Sequence, residues 1–173
     1  HIIIHANATK KGKNSVSINF VCGNQSLNRN ADYLYTLFVP DRARTAFPCF
    51  DQPDIKASFA LSLTVPEAWE AVSNTAIAST KVKSGRKTVR FSPTEPLSTY
   101  LFAFAAGEFK HIEYPDGDRT IGAYYRETDP ERIRQLNDIF KQVAYSLNWM
   151  EEYTGIKYSF AISCIALHLD RQL

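Results

Sequence analysis

The chain has 173 residues, 45% of them hydrophobic and 22% charged, with a formal net charge of +2. That length admits one domain, or one domain and part of another, with a sizeable core. The near-neutral charge, with no basic run beyond Lys10-Lys11-Gly12-Lys13, argues against a nucleic-acid surface, and no apolar run has the length of a membrane-crossing helix.

Taken in order, residues 2 to 125 read as strands joined by turns. The opening His1-Ile2-Ile3-Ile4-His5 looks like the inside of a strand and lacks a signal-peptide pattern, so an excised piece is expected. Val16, Ile18, Phe20 and Cys22 alternate with Ser17, Asn19 and Val21, which predicts a half-buried strand. A loop is expected from Cys22 to about Asn30, and a strand over Tyr33–Val39.

Phe38 to Phe59, FVPDRARTAFPCFDQPDIKASF, is the stretch the rest is organised around. Pro40, Pro48 and Pro53 fix φ and push the preceding residues out of the helical region, so this is a turn-rich corner. Asp51 and Asp54 suit turns because short carboxylates accept nearby backbone N–H groups, and Arg42, Arg44 and Lys56 are close enough in sequence to neutralise them.

Phe59, Leu61, Leu63 and Val65 then alternate with Ala60, Ser62 and Thr64 until Pro66, the cleanest period of two in the chain. Further strands are predicted over Ala71–Asn74, Ala76–Val82, Lys87–Phe91, Tyr100–Phe109 and Thr120–Tyr125. Ser84-Gly85 and Asp116-Gly117 are placed as turns between them. So many strands without helices predict a mainly β fold, an antiparallel sandwich or saddle, followed by one long helix and a short strand.

The helix begins near Thr128-Asp129-Pro130-Glu131, which combines a capping box with proline in the first turn. Ile133, Leu136, Phe140, Val143, Leu147 and Met150 form one apolar stripe, and Gly155 ends the run. A lone helix after an all-β region must bury its stripe elsewhere. A domain boundary near Arg126 is therefore expected, with residues 1–126 as a β-domain and 127–173 opening a second domain. Phe160 to Leu169 reads as one buried strand.

Cys22, Cys49 and Cys164 are widely spaced without a Cys-x-x-Cys pair, so they read as small buried side chains and leave the compartment open. Of His1, His5, His111 and His168, only the first two stand four apart. On a strand they would lie about 13 Å from each other, too far for one metal ion. No serine, cysteine and histidine set has the context of a nucleophile.

The wording of the corner is more specific than its physics. Ala43 to Pro53, with Lys56 and Phe59, resembles a segment of the N-terminal β-domain of the M1 family of zinc aminopeptidases. Arg44, Phe47, Pro48, Asp51, Pro53 and Lys56 carry that motif. Ser98 to Phe109 and Glu151 to Tyr158 agree in order and rough spacing, so the likeness runs from about Asp32 to Tyr158.

The resemblance implies a β-domain followed by a thermolysin-like catalytic domain of the same polypeptide, acting on peptide substrates with Zn2+. The zinc motif itself, two helical histidines flanking a glutamate that activates water, is absent from this chain. So is the family's Gly-x-Met-Glu-Asn: Asn148 precedes Trp149-Met150-Glu151-Glu152 where the glycine should be. No catalytic residue and no metal ligand is therefore expected here. In many M1 enzymes a Gln-x-Glu segment before the corner helps hold the substrate ammonium. The matching positions are Leu37 and Val39, neither of which accepts a hydrogen bond. An apolar wall is expected there.

The preferred reading is an inert N-terminal fragment of a zinc aminopeptidase. An interaction scaffold from an M1-like protein without its metal site is the alternative, and a free-standing sandwich binding sugar or peptide is a third. The third is disfavoured because an independent module should bury its own helix.

Overall fold

A computed structural model of the protein describes residues 2–158 and the backbone of residues 162–167. Among the described residues, twelve strands and two α-helices follow in order, with short 3-10 turns between: β1 Leu27–Arg29, β2 Tyr33–Thr36, β3 Lys56–Ala57, β4 Ser62–Pro66, β5 Glu70–Ser73, β6 Ile77–Lys83, β7 Arg86–Phe91, β8 Leu97–Ser98, β9 Phe104–Gly107, β10 Lys110–Asp116, β11 Arg119–Tyr125, α1 Pro130–Arg134, α2 Leu136–Thr154 and β12 Ile162–Leu167. The fold is mainly β, as expected.

One sheet has the order β1-β2-β9-β5 and another β4-β7-β6, both antiparallel. They share a core in which Ala71 and Ala106 of the first sheet meet Val65, Val89 and Phe91 of the second. Small residues on one face against large ones on the other let two sheets approach and interdigitate. The β6–β7 turn is Ser84-Gly85, with φ of 52° and 71°, the left-handed pair a two-residue hairpin needs. β6 is exposed along its whole length and is an edge strand. Lys81, Lys83 and a bulge between Ile77 and Ser79 are devices that discourage edge pairing.

A second core lies beneath the corner. Phe38, Ala43, Ala46, Leu97 and Phe102 are buried, with Phe47, Phe59 and Phe104 packed on them. The third core joins the C-terminal elements: Ile121 and Ala123 of β11 meet Leu136, Phe140 and Ala144 of α2, with Ile112 and Tyr114 of β10 alongside. Much of the stripe on the helix thus packs on a hairpin within this chain. β12 adds parallel to β11, Thr120 opposite Ile162 and Tyr125 opposite Leu167. That strand falls within the predicted tail, whose burial lies outside the described residues.

Several expectations are corrected. Residues 2–22 contain no strand, only a short 3-10 turn at Ala6–Ala8. Val16, Ile18 and Phe20 are exposed, because the alternating run meets no pairing partner among the described residues. The predicted loop from Cys22 to Asn30 contains β1. Tyr100–Phe109 is not one strand: a 3-10 turn at Thr99–Leu101 precedes β9. β10 was not anticipated, since Glu113, Pro115 and Asp116 do not read as strand formers; its seven-residue register with β11 supplies what propensity lacks. The helix cap is Asp129, not Thr128: Asp129 accepts from the Glu131 N–H at 2.9 Å, while Glu127 accepts from the N–H groups of Thr128 and Asp129. Gly155, at φ 68°, closes α2 as expected, since a left-handed cap costs a glycine least. Met150 is exposed and leaves the stripe.

Candidate substrate-facing loop

The chain leaves β2 at Thr36, whose hydroxyl both donates to the Phe104 carbonyl (3.2 Å) and accepts from the Phe104 N–H (3.0 Å). The Leu37 N–H donates to the Ser26 carbonyl at 2.9 Å, and Arg42 N–H to the Phe38 carbonyl at 2.8 Å. Between these ties Phe38 turns inward and is buried. Its ring meets Phe47 edge-on at 5.5 Å and lies 6.4 Å from both Phe102 and Phe104. Successive side chains of an extended segment alternate. Burying Phe38 therefore turns Leu37 and Val39 outward, at 51% and 53% exposure. A cis Val39–Pro40 bond follows.

The motif residues form the footing of this loop. The Arg44 N–H donates to Asp51 Oδ2 at 2.9 Å, and the Arg44 guanidinium donates to Asp41 Oδ2 at 2.8 Å. That hydrogen bond and the Asp41 charge raise the Arg44 pKa above its ordinary value. Asp51 is only 5% exposed at its side chain, and its Oδ1 has no hydrogen-bond partner among the described residues. Burial, and then the Asp51 charge, push the neighbouring Cys49 thiol up to about 11. Phe47 lies in the aromatic core. Pro48 is half-buried and Pro53 exposed. Lys56 pairs through its backbone with Ser98. Arg42 and Lys56 do not reach a carboxylate among the described residues, and of the three cations Arg44 alone pairs with acids of the corner, Asp41 and Asp51.

Buried hydroxyls, which sequence reasoning missed, complete the footing. Thr99 Oγ1 donates to the Phe50 carbonyl, Ser98 Oγ to the Pro53 carbonyl and Ser26 Oγ to the Arg42 carbonyl. Ser98 and Thr99 open one of the stretches that resemble the family, but hydroxyls carry no periodic signal, so nothing in the sequence assigned them these partners.

A family profile described as the Peptidase M1 N-terminal domain matches residues 4–101, more than half of the chain. The chain belongs to the M1 peptidase family. It is 34% identical over 123 residues to mitochondrial aminopeptidase 2 of Saccharomyces cerevisiae, covering 71% of this chain and 13% of that protein. It is 40% identical over 129 residues to the probable M1 family aminopeptidase 1 of Encephalitozoon cuniculi, covering 72% and 14%. Against the tricorn protease-interacting factor F2 of Thermoplasma volcanium it is 33% identical over 134 residues, 78% and 16%. The matched part of the chain thus spans about one seventh of the length of these relatives.

Elsewhere in this M1 chain the other candidate groups resolve into structural roles. Glu151 accepts from Arg119 (2.9 Å) and from the Tyr158 N–H (2.8 Å). Arg119 also holds Asp116 at 2.8 Å, so Asp116 is more than a turn residue. His111 stacks on Tyr124, ring centroids 4.3 Å apart. No three histidine, cysteine or acidic side chains come together among the described residues. His1 and His168 lie outside the described residues.

Proposed function

We propose that this chain is the non-catalytic β-shoulder of a zinc-dependent aminopeptidase that removes N-terminal residues from peptides. The catalytic domain of the same polypeptide is its partner and holds the Zn2+. One observation carries the substrate-side reading. Where the M1 resemblance places Gln and Glu, Leu37 and Val39 stand outward on a loop anchored by Phe38. Such a loop offers a substrate an apolar wall and no acceptor for its ammonium. Amine recognition then falls on carboxylates of the catalytic domain. Incubated with zinc and an aminoacyl chromogenic substrate, the 173-residue chain should give no turnover above buffer; chelator-sensitive hydrolysis by it overturns the proposal.

The packing of the cores supports a unit boundary ahead of β10 as well as one near residue 126. No residue of the third core belongs to the other two, so β10 and β11 group with the helix, and the change falls near Glu108 and Phe109. Limited proteolysis should cut there rather than between Arg126 and Thr128.

The scaffold reading is favoured by the same missing acceptors, and one relative is named for interaction with a protease. His-Glu-x-x-His downstream of Leu173 in the gene supports the enzyme; its absence supports the scaffold.

A further inference from the structure

The third core shares no residue with the other two, yet the hairpin that carries it is tied to the first sheet at its base. Asp32 and Tyr33 stand where β1 turns into β2, a turn closed by the Asn30 N–H on the Tyr33 carbonyl at 2.8 Å. The Asp32 carbonyl accepts from the Glu108 N–H at 2.9 Å, just ahead of β10. Its carboxylate accepts from the Arg126 guanidinium at 3.0 Å, just past β11. Because Lys110 pairs with Tyr125, Asp32 thus holds both strands at the base of the hairpin. The Arg126 guanidinium also lies over the Tyr33 ring, 4.6 Å from its centroid. Tyr33 is 6% exposed and the Arg126 side chain 28%, so this cation–π contact is largely shielded from water and stronger than one on an open surface. The ion pair by itself, with Asp32 half exposed, contributes little. It is nonetheless the one ion pair among the described residues that joins the chain up to Gly107 with the chain from Lys110 on.

We propose that Arg126 is a positioning residue that clamps β2 to the β10–β11 hairpin and so sets where the loop after β2 stands against the rest of the enzyme. This rests on the reading of Leu37 and Val39 as substrate-facing. β2 begins at Tyr33, inside the clamp, and ends at Thr36, where it releases the chain to Leu37. Four steps of about 3.3 Å put Leu37 roughly 13 Å along the strand, so a tilt of about 5° at the clamp moves the loop about 1 Å. A displacement of that size weakens any contact that depends on orientation. The first sheet cannot absorb the tilt within itself. A Cβ on Gly107, opposite Tyr33, would lie 2.5 Å from the Tyr33 Cβ, so β2 and β9 are packed too closely to move except together.

Arg126→Gln and Arg126→Lys in the full-length parent test it, through cleavage at exposed Glu108 by a glutamate-specific protease and through kinetics on a peptide substrate. Arg126→Gln should be cut at Glu108 about five- to tenfold faster, since losing a shielded cation–π contact and an ion pair eases local opening. Its KM should rise severalfold with kcat within about twofold of the parent. Arg126→Lys keeps a cation for both partners and should restore most of each effect. Cleavage of Arg126→Gln at the parent's rate overturns the clamp. So does cleavage rising equally at Glu152 within α2, which is loss of the fold rather than release of the hairpin base. Faster cleavage at Glu108 with an unchanged KM overturns the positioning role and leaves the aminopeptidase reading standing. Faster cleavage in a parent without activity keeps the clamp and removes the enzyme instead.

Discussion

Phe59 and Phe102 stack face to face, ring centroids 4.4 Å apart and planes within 9°, although one precedes β4 and the other follows β8. Phe47 meets both rings edge-on. This cluster holds Phe38 and therefore sets which way Leu37 and Val39 point. Phe102→Ala should cost about 3–5 kcal/mol of stability. Phe50→Ala, at an exposed position, should stay within about 0.5 kcal/mol. Urea unfolding of both variants checks the contrast.

Val39→Glu in the full-length protein should strengthen binding of the substrate amine. A charge-assisted hydrogen bond contributes about 1.5–3 kcal/mol, so KM should fall about tenfold or more. An unchanged KM with unchanged kcat would remove Val39 from the substrate's neighbourhood.

Glu151 sits where the α2 terminus meets the β10–β11 turn. Its pKa is lowered, first by the Tyr158 N–H and then by Arg119 and Lys157, against an opposing effect of burial. A folded pKa below the unfolded one contributes stability that is complete above the unfolded value and lost as pH falls through the folded one. Glu151→Gln should therefore unfold earlier in urea at about pH 7, and its difference from the parent chain should shrink toward about pH 3.

Cys49 should resist alkylation. With its thiol pushed from 9.0 up to about 11, its thiolate fraction near neutrality is about a hundredfold below that of a free cysteine. Asp51→Asn removes the charge that adds to this shift and should speed alkylation, as measured by iodoacetamide labelling and peptide mass spectrometry.

Gly107→Ala should destabilise β9. A Cβ there would lie 2.5 Å from Tyr33 Cβ and 2.9 Å from the Asp32 carbonyl oxygen. Backbone and Cβ atoms cannot swing aside, so a cost of about 1–3 kcal/mol is expected in a thermal melt.

The period of two over Phe59–Val65, the turn chemistry of Ser84-Gly85 and the three-and-four spacing before Gly155 are local properties; the turn and the long helix formed, while the alternating run is strand only from Ser62. The same alternation over Val16–Cys22 produced no strand, because a strand also needs a neighbour to accept its hydrogen bonds. β10 shows the converse: poor strand formers were held in place by β11. The polar corner was legible as a motif, but the hydrogen bonds of Ser26, Ser98 and Thr99 were not, since their partners are carbonyls distant in sequence.

From residue order alone came the family likeness, the β-rich character, the single long helix and the missing acceptors at Leu37 and Val39, because each is written in side-chain type and short-range spacing. Only the folded chain decided that α2 packs its stripe on β10 and β11, that Asp129 caps α1, and that Leu37 and Val39 face outward. Those outcomes depend on which distant surfaces meet, and burial is a property of the meeting rather than of either partner.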